Sequence, residues 1–221
     1  MVDFAAARRM MVDGQVRTAD VTDPRLLAAL FELPRERFVP ERGAALAYLD
    51  QDVPVAEPGP QARRLLKPMV LAKLIQLAEI EPADRVLDVG CTTGYSTAVL
   101  AQLAGQVIGL EQDAGLARRA QDELARLGTA NAKVVVGPLV AGWPAEGPYD
   151  VIVVTGSTEV VPDALLRQLK DGGRLVCVLG RGPGGKAMLY RAVGGAVSGR
   201  PAFDAAAPLL PGFAKPQSFV F

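Results

Sequence analysis

The sequence predicts an α/β fold, a doubly wound and mostly parallel sheet preceded by an N-terminal helical extension. From Pro68 onward, short β-rich runs alternate with helical segments, the layout of a sheet covered on both faces. Those runs are almost continuously apolar rather than alternating, as strands buried on two sides must be. The first of them, "VLDVG", passes through a glycine turn directly into a helical run. With 221 residues, half of them apolar, the chain can bury one sizeable core with a small attached lobe.

In chain order, "DPRLLAALFELPRERFVP" opens with a helix. Asp23 can cap it, Pro24 suits its first turn, and Leu26, Leu27, Leu30 and Phe31 recur at helical spacing until Pro34 ends it. A short helical piece follows around Ala44 to Tyr48. "DVPVAEPGPQARRLLKP" has four prolines and a glycine, too broken for regular structure, and reads as a surface loop that could cover a site. The division falls here: residues 1–67 form the helical lobe and substrate-side loop, and residues 68–221 the cofactor-binding domain. "PMVLAKLIQLAEI" is a helix. Strands are predicted at 85–89, 106–110, 133–136, 150–154 and 174–179, with helices at 96–104, 114–127 and 163–168 between them. "KAMLYRAV" and the terminal "QSFVF" come without an intervening helix, so they are expected to be antiparallel strands closing one edge. Between them and the parallel strands, "GRGPGGK" lacks the Gly-Lys-Ser/Thr ending of a phosphate loop and reads as a hairpin turn.

Composition narrows the chemistry. Twenty-four basic residues balance 24 acidic ones, so net charge calls for neither nucleic acid nor an anionic membrane. The N-terminus has no long apolar run, and the chain reads as cytoplasmic. Cys91 and Cys177 lie in or beside strands and read as reduced core thiols. There is no histidine, which excludes triads with a histidine base and histidine-ligated metals; no metal site is expected. A reaction that needs no strong base is favoured.

The site is expected at the carboxyl ends of the strands, beside the first of them. Gly90 and Gly94 let the chain turn sharply and let a ligand approach the backbone. Glu111, ending the second strand, can accept both hydroxyl protons of a ribose. A dinucleotide site asks for G-x-G-x-x-G, but here Cys91, Thr92 and Thr93 separate the two glycines and the middle glycine is missing. A ribose without a pyrophosphate fits better. Asp88, expected to face the pocket, suits an ammonium group and a sulfonium charge, and S-adenosylmethionine carries all of these parts.

Over almost its whole length the chain resembles the protein-L-isoaspartate O-methyltransferases. The resemblance lies in "PRERFVP", "AYLDQDVPV", "VLDVGCTTGYSTAVLA" and "YDVIVVTGSTEVVPDALLRQLKDGGRLVCVLG". The first two are the more specific, since general methyltransferases lack that lead-in. The resemblance implies a class I, Rossmann-like methyltransferase fold. It also implies a protein-repair activity: methyl transfer from S-adenosylmethionine to the carboxylate of an isoaspartyl residue. Such a carboxylate, with a pKa of about 4, is already ionised at neutral pH, so transfer needs alignment and desolvation rather than a base. Carried over by residue, the cofactor positions are Asp88, Gly90, Gly94 and Glu111, with Gln112 following. Cys91, Thr92 and Tyr95 flank them, and Gly137 and Leu139 stand at the adenine side.

Two departures fall on the site. The family's Gln-Thr-Ile-Ser-type segment is Arg63-Arg64-Leu65-Leu66 here, with Leu66 at the serine position. Its Gly-Asp-Gly is Gly137-Pro138-Leu139, which removes a charged hydrogen bond to adenine of about 1.5 to 3 kcal/mol. Arg63 or Arg64 could receive a substrate carboxylate, or both could lie on a solvated loop. Thr155 and Ser157, after the fourth strand, lie at the edge where a substrate would be met, while Trp143 reads as a packing anchor. Three acceptor readings stay open: an isoaspartyl peptide or protein, a small carboxylate-bearing molecule, or none, in a noncatalytic homologue. Oligomeric state is left open.

Overall fold

The fold is seen in a computed structural model, which describes residues 3–56 and 62–215. Helices α1 (Phe4–Met11) and α2 (Pro24–Glu32) form the N-terminal lobe, α2 capped by the Asp23 side chain with Pro24 in its first turn. Short 3-10 turns at Arg35–Phe38 and Glu41–Leu46 replace the second helical piece. The proline-rich stretch is more regular than the sequence suggested. β1 (Val53–Pro54) and β2 (Arg64–Leu65) pair as a small antiparallel ladder, Val53 opposite Leu65.

Helix α3 (Pro68–Leu77) then leads into β3 (Arg85–Val89), α4 (Tyr95–Ala101), β4 (Gln106–Glu111), α5 (Ala114–Arg126) and β5 (Ala132–Val136). β6 (Tyr149–Thr158), α6 (Asp163–Leu166), β7 (Leu169–Leu179), β8 (Lys186–Val193) and β9 (Ala196–Asp204) complete the order. The seven-stranded sheet runs β5-β4-β3-β6-β7-β8-β9; the first five strands are parallel and the last two antiparallel. The antiparallel edge is thus made by the β8–β9 hairpin. The "QSFVF" segment expected there lies outside the described residues. "GRGPGGK" forms the β7–β8 connection, as a hairpin turn should.

Successive residues of each central strand point to opposite faces and so into different cores. Val86, Val107, Val151 and Val176 pack under α3, α4, α5 and the N-terminal lobe in one unbroken cluster. Leu87, Ile108, Ile152 and Leu175 pack on the other face, under α6, the 3-10 turn Leu139–Ala141 and the irregular segment carrying Leu210 and Phe213. Among the described residues this face is covered by short turns of helix and irregular chain rather than by long helices.

The lobe is tied to the sheet by a buried cation. Arg35, in the first residues of the "RERF" turn, is fully buried. Its Nε donates to the Ala47 carbonyl at 2.7 Å and its Nη2 to the Leu66 carbonyl at 2.6 Å. Its guanidinium lies 4.7 Å from the centre of the Tyr95 ring, and Phe38 meets that ring edge-on at 5.4 Å. The Thr93 hydroxyl also donates to the Phe38 carbonyl at 2.5 Å. The lobe therefore fixes both the segment before α3 and the turn before α4, the two elements that flank the carboxyl end of β3. Replacing Arg35 with methionine keeps apolar bulk but leaves two buried carbonyls without a donor, which should cost about 3 kcal/mol. Urea unfolding measures this directly, and a loss below about 1 kcal/mol would show that the joint lies elsewhere.

Candidate functional site

The strand order changes direction at β3, which has β4 on one side and β6 on the other, so a crevice opens beyond its carboxyl end. Three residues of the β3–α4 turn have left-handed backbone: Gly90 at φ 87°, Thr92 at φ 52° and Gly94 at φ 93°. The first and last are free there. Thr92, standing where the middle glycine of G-x-G would be, is a β-branched residue in a region that costs it on the order of 1 to 3 kcal/mol. Gly94 serves packing: a Cβ on it would come within 3.0 Å of Ala120 Cβ in α5.

Glu111 is fully buried at the end of β4. Its Oε1 accepts from the backbone N–H groups of Gln112 and Asp113 at 2.9 and 3.2 Å. Its Oε2 accepts from the Thr92 N–H and from Arg63 Nη2, both at 2.9 Å. A carboxylate has about four acceptor positions. All four are engaged by the chain itself, and none is left for a ribose.

Asp88 does not face the crevice. Its Oδ2 accepts from the Ser96 and Thr97 hydroxyls of α4 at 2.6 and 2.7 Å, and the Thr155 hydroxyl lies 3.3 Å from Oδ1 while meeting the Val89 carbonyl at 2.9 Å. Burial pushes its pKa up to about 6 against the pull of those hydroxyls, with the nearby Glu111 charge adding to the rise. Room for the Thr97 hydroxyl comes from Gly109 in β4, where a Cβ would lie 2.8 Å from that oxygen.

On the substrate side the two arginines part company. Arg64 is exposed and donates to the Asp52 carbonyl at 3.2 Å, as a solvated loop residue would. Arg63 is 6% exposed and points inward, donating to the Gly90 carbonyl at 3.0 Å as well as to Glu111. Leu66 is buried with its carbonyl held by Arg35. Leu210 completes the closure: a Cβ on Gly90 would come within 3.2 Å of its Cδ2, and one on Gly156 within 2.5 Å. Between Arg64, Leu65, Leu66, Gly90, Thr92 and Thr155 the remaining cavity measures about 10 Å³. That holds one water at most, whereas pockets for ligands of cofactor size run from about 300 Å³ upward. As arranged, these residues do not fit S-adenosylmethionine.

The other sequence candidates are placed as follows. Tyr95, read as a possible lining residue, packs instead into the lobe joint, its hydroxyl buried without a partner. Cys91 is buried against Gly109, and burial raises its thiol pKa. The Gln112 side chain is exposed. Gly137 backs onto Trp143, and Leu139 is buried in the second core. Ser157 is buried with its hydroxyl unpartnered, its backbone bonded to Pro208 and Leu210. Sequence reading missed Ser96, Thr97 and Leu210. The first two carry a signal, a polar pair inside an otherwise apolar helix; Leu210, in "PLLPGF", carries none.

A family model described as protein-L-isoaspartate(D-aspartate) O-methyltransferase matches residues 7–197. The chain is 40% identical over 173 residues to the protein-L-isoaspartate O-methyltransferase of Methanoculleus marisnigri, covering 78% of this chain and 77% of that protein. It is 41% identical over 177 residues to protein-L-isoaspartate O-methyltransferase 1 of Rhodopseudomonas palustris, covering 80% and 71%. Among solved structures, a protein-L-isoaspartate O-methyltransferase superposes with a TM-score of 0.80 at 25% identity, over 93% of this chain and 66% of that one. A Plasmodium falciparum structure named for the same activity, solved with S-adenosyl-L-homocysteine, shares the fold with a TM-score of 0.76 at 19% identity, over 95% and 99%.

The buried Asp88 carboxyl gives the site a signature in pH. With its pKa raised from 3.8 to about 6, the folded chain holds a proton that the unfolded chain has lost between those values, so stability falls as pH rises through that window. Asp88→Asn has no such titration. Its stability relative to the wild type should therefore improve by on the order of 2 to 3 kcal/mol between pH 4 and 7. Parallel unfolding curves for the two proteins would contradict the raised pKa.

Proposed function

The chain belongs to the protein-L-isoaspartate(D-aspartate) O-methyltransferase family, and we propose on that premise that its methyl acceptor meets it at the carboxyl edge of β3 and β6, between Leu66 and Thr155. Members of the family are S-adenosylmethionine-dependent methyltransferases that act on isoaspartyl residues, and that activity is this chain's too. The observation that carries the assignment is the extent of the match. It runs from the helical lobe through the crevice to β9, so it includes the lobe joint around Arg35 and is not confined to the β3–α4 turn.

The cofactor supplies an activated methyl group. The chain's task is to bring an ionised carboxylate into line with it and exclude water, which calls for no base and agrees with a sequence that has no histidine. With Arg63 and Leu210 displaced, the cofactor side would fall to Gly90, Thr92, Glu111, Gln112 and the Gly137–Leu139 turn. Asp88 acts from behind, through Ser96 and Thr97 on the first turn of α4. The acceptor side falls to Leu66, Thr155 and Ser157. An isoaspartyl peptide rather than a free small acid is the acceptor we assign, on the strength of the family match. Balanced charge supports a partner that is not nucleic acid. Among the described residues no helix is long and apolar enough to cross a membrane; the cytoplasmic site of action read from the sequence is kept as part of the proposal.

With labelled S-adenosylmethionine at millimolar concentration, an isoaspartyl hexapeptide should become labelled and its aspartyl twin should not. Equal labelling of the two, or labelling of a free small carboxylate in preference to both, would remove the isoaspartyl assignment.

A further inference from the structure

We infer that the cofactor enters this crevice only in exchange for an internal occupant, formed by Arg63 and Leu210, and that Arg63 thereby sets the cofactor's affinity. The inference rests on the family reading, since it takes the crevice to be the cofactor site.

Two independent observations coincide. The first is chemical: Glu111, the one carboxylate at the end of β4 placed to receive ribose hydroxyls, has all of its acceptor positions taken, one of them by Arg63. The same Arg63 nitrogen takes the Gly90 carbonyl, so the cation sits across the mouth of the glycine turn. The second is steric. Gly90 and Gly156, whose bare backbones would admit a ligand, both admit Leu210 instead, which lies beyond the matched residues 7–197. Polar and apolar parts of the space are each filled by a side chain of matching character, one from before α3 and one from after β9.

The occupants are held in ways that permit exchange. Leu210 is anchored to β6 by two backbone bonds, Ser157 N–H to Pro208 carbonyl at 2.7 Å and Leu210 N–H to Ser157 carbonyl at 3.0 Å, and it belongs to no helix or ladder strand. Arg63 is held through its Nη2, by Glu111 and the Gly90 carbonyl, while its Nε is buried without a partner. A ligand that binds only the open form has its dissociation constant multiplied by the reciprocal of the open fraction, so a closed form favoured tenfold weakens binding by about tenfold.

The test is titration calorimetry of the full-length chain and of Arg63→Gln and Leu210→Ala with S-adenosylhomocysteine, each variant first shown to melt cooperatively. Glutamine keeps a donor but gives up the charge; alanine empties the apolar half. Both variants should bind at least about tenfold more tightly than the wild type. If Arg63→Gln does not fold, Leu210→Ala decides alone. Wild-type binding that neither variant improves would overturn the exchange and leave the enzyme assignment standing. Absence of binding in all three proteins at millimolar ligand would overturn both, because an opened crevice would then be shown to hold no cofactor.

Discussion

The Glu111 carboxylate is the point on which the rest of the site depends. A buried charge is tolerable only when it is paired and hydrogen-bonded. Here the pairing is done by the turn that follows the strand, by the turn that follows β3 and by an arginine from the segment before α3. One side chain therefore holds three stretches of chain that are far apart in sequence. Thr92, whose backbone is left-handed, donates its N–H to the same carboxylate, and that hydrogen bond offsets the strain.

Around this centre the protein uses polar groups as joints and apolar groups as fill. Asp88 gathers hydroxyls from α4 and β6, setting helix against strand on one side of the crevice. Arg35 does the same for the lobe, and because it grips the Leu66 carbonyl it also fixes where the segment carrying Arg63 begins its path inward. The position of Arg63 thus follows from the lobe joint, and a change in the lobe would be felt at Glu111 through the two residues, Arg64 and Leu65, that separate Leu66 from Arg63.

The sheet is legible because its strands are continuous apolar runs with clear turn residues between them: β3, β4 and β5 fall within a residue of the ranges read from pattern, while β6 runs four residues past its range, taking in Thr155 and Ser157, and β7 begins five residues before its own. The small β1–β2 ladder is not, since two residues per strand leave no period to detect and prolines mask the rest. In the site, the residues that a motif marks, Gly90, Gly94, Glu111 and Asp88, are all at the crevice or directly behind it. Their roles are harder to read than their positions: pattern points Asp88 at a ligand, and the structure gives it to the Ser96 and Thr97 hydroxyls of α4 and the Thr155 hydroxyl of β6, because nothing in sequence tells which side of a strand end a hydroxyl pair will occupy. Arg63 and Arg64 are indistinguishable as letters. They separate only because neighbouring residues of a strand entry point to opposite sides. Leu210 was invisible, being one leucine among many until a long-range contact singles it out.

The order of the chain gives the occupants different origins. Arg63 precedes every strand that shapes the crevice, from β3 to β7, and Leu210 follows them all. The Gly90 turn is thus covered from both flanks of the sheet-forming chain at once, so a change in either flank alters the same few ångströms of space.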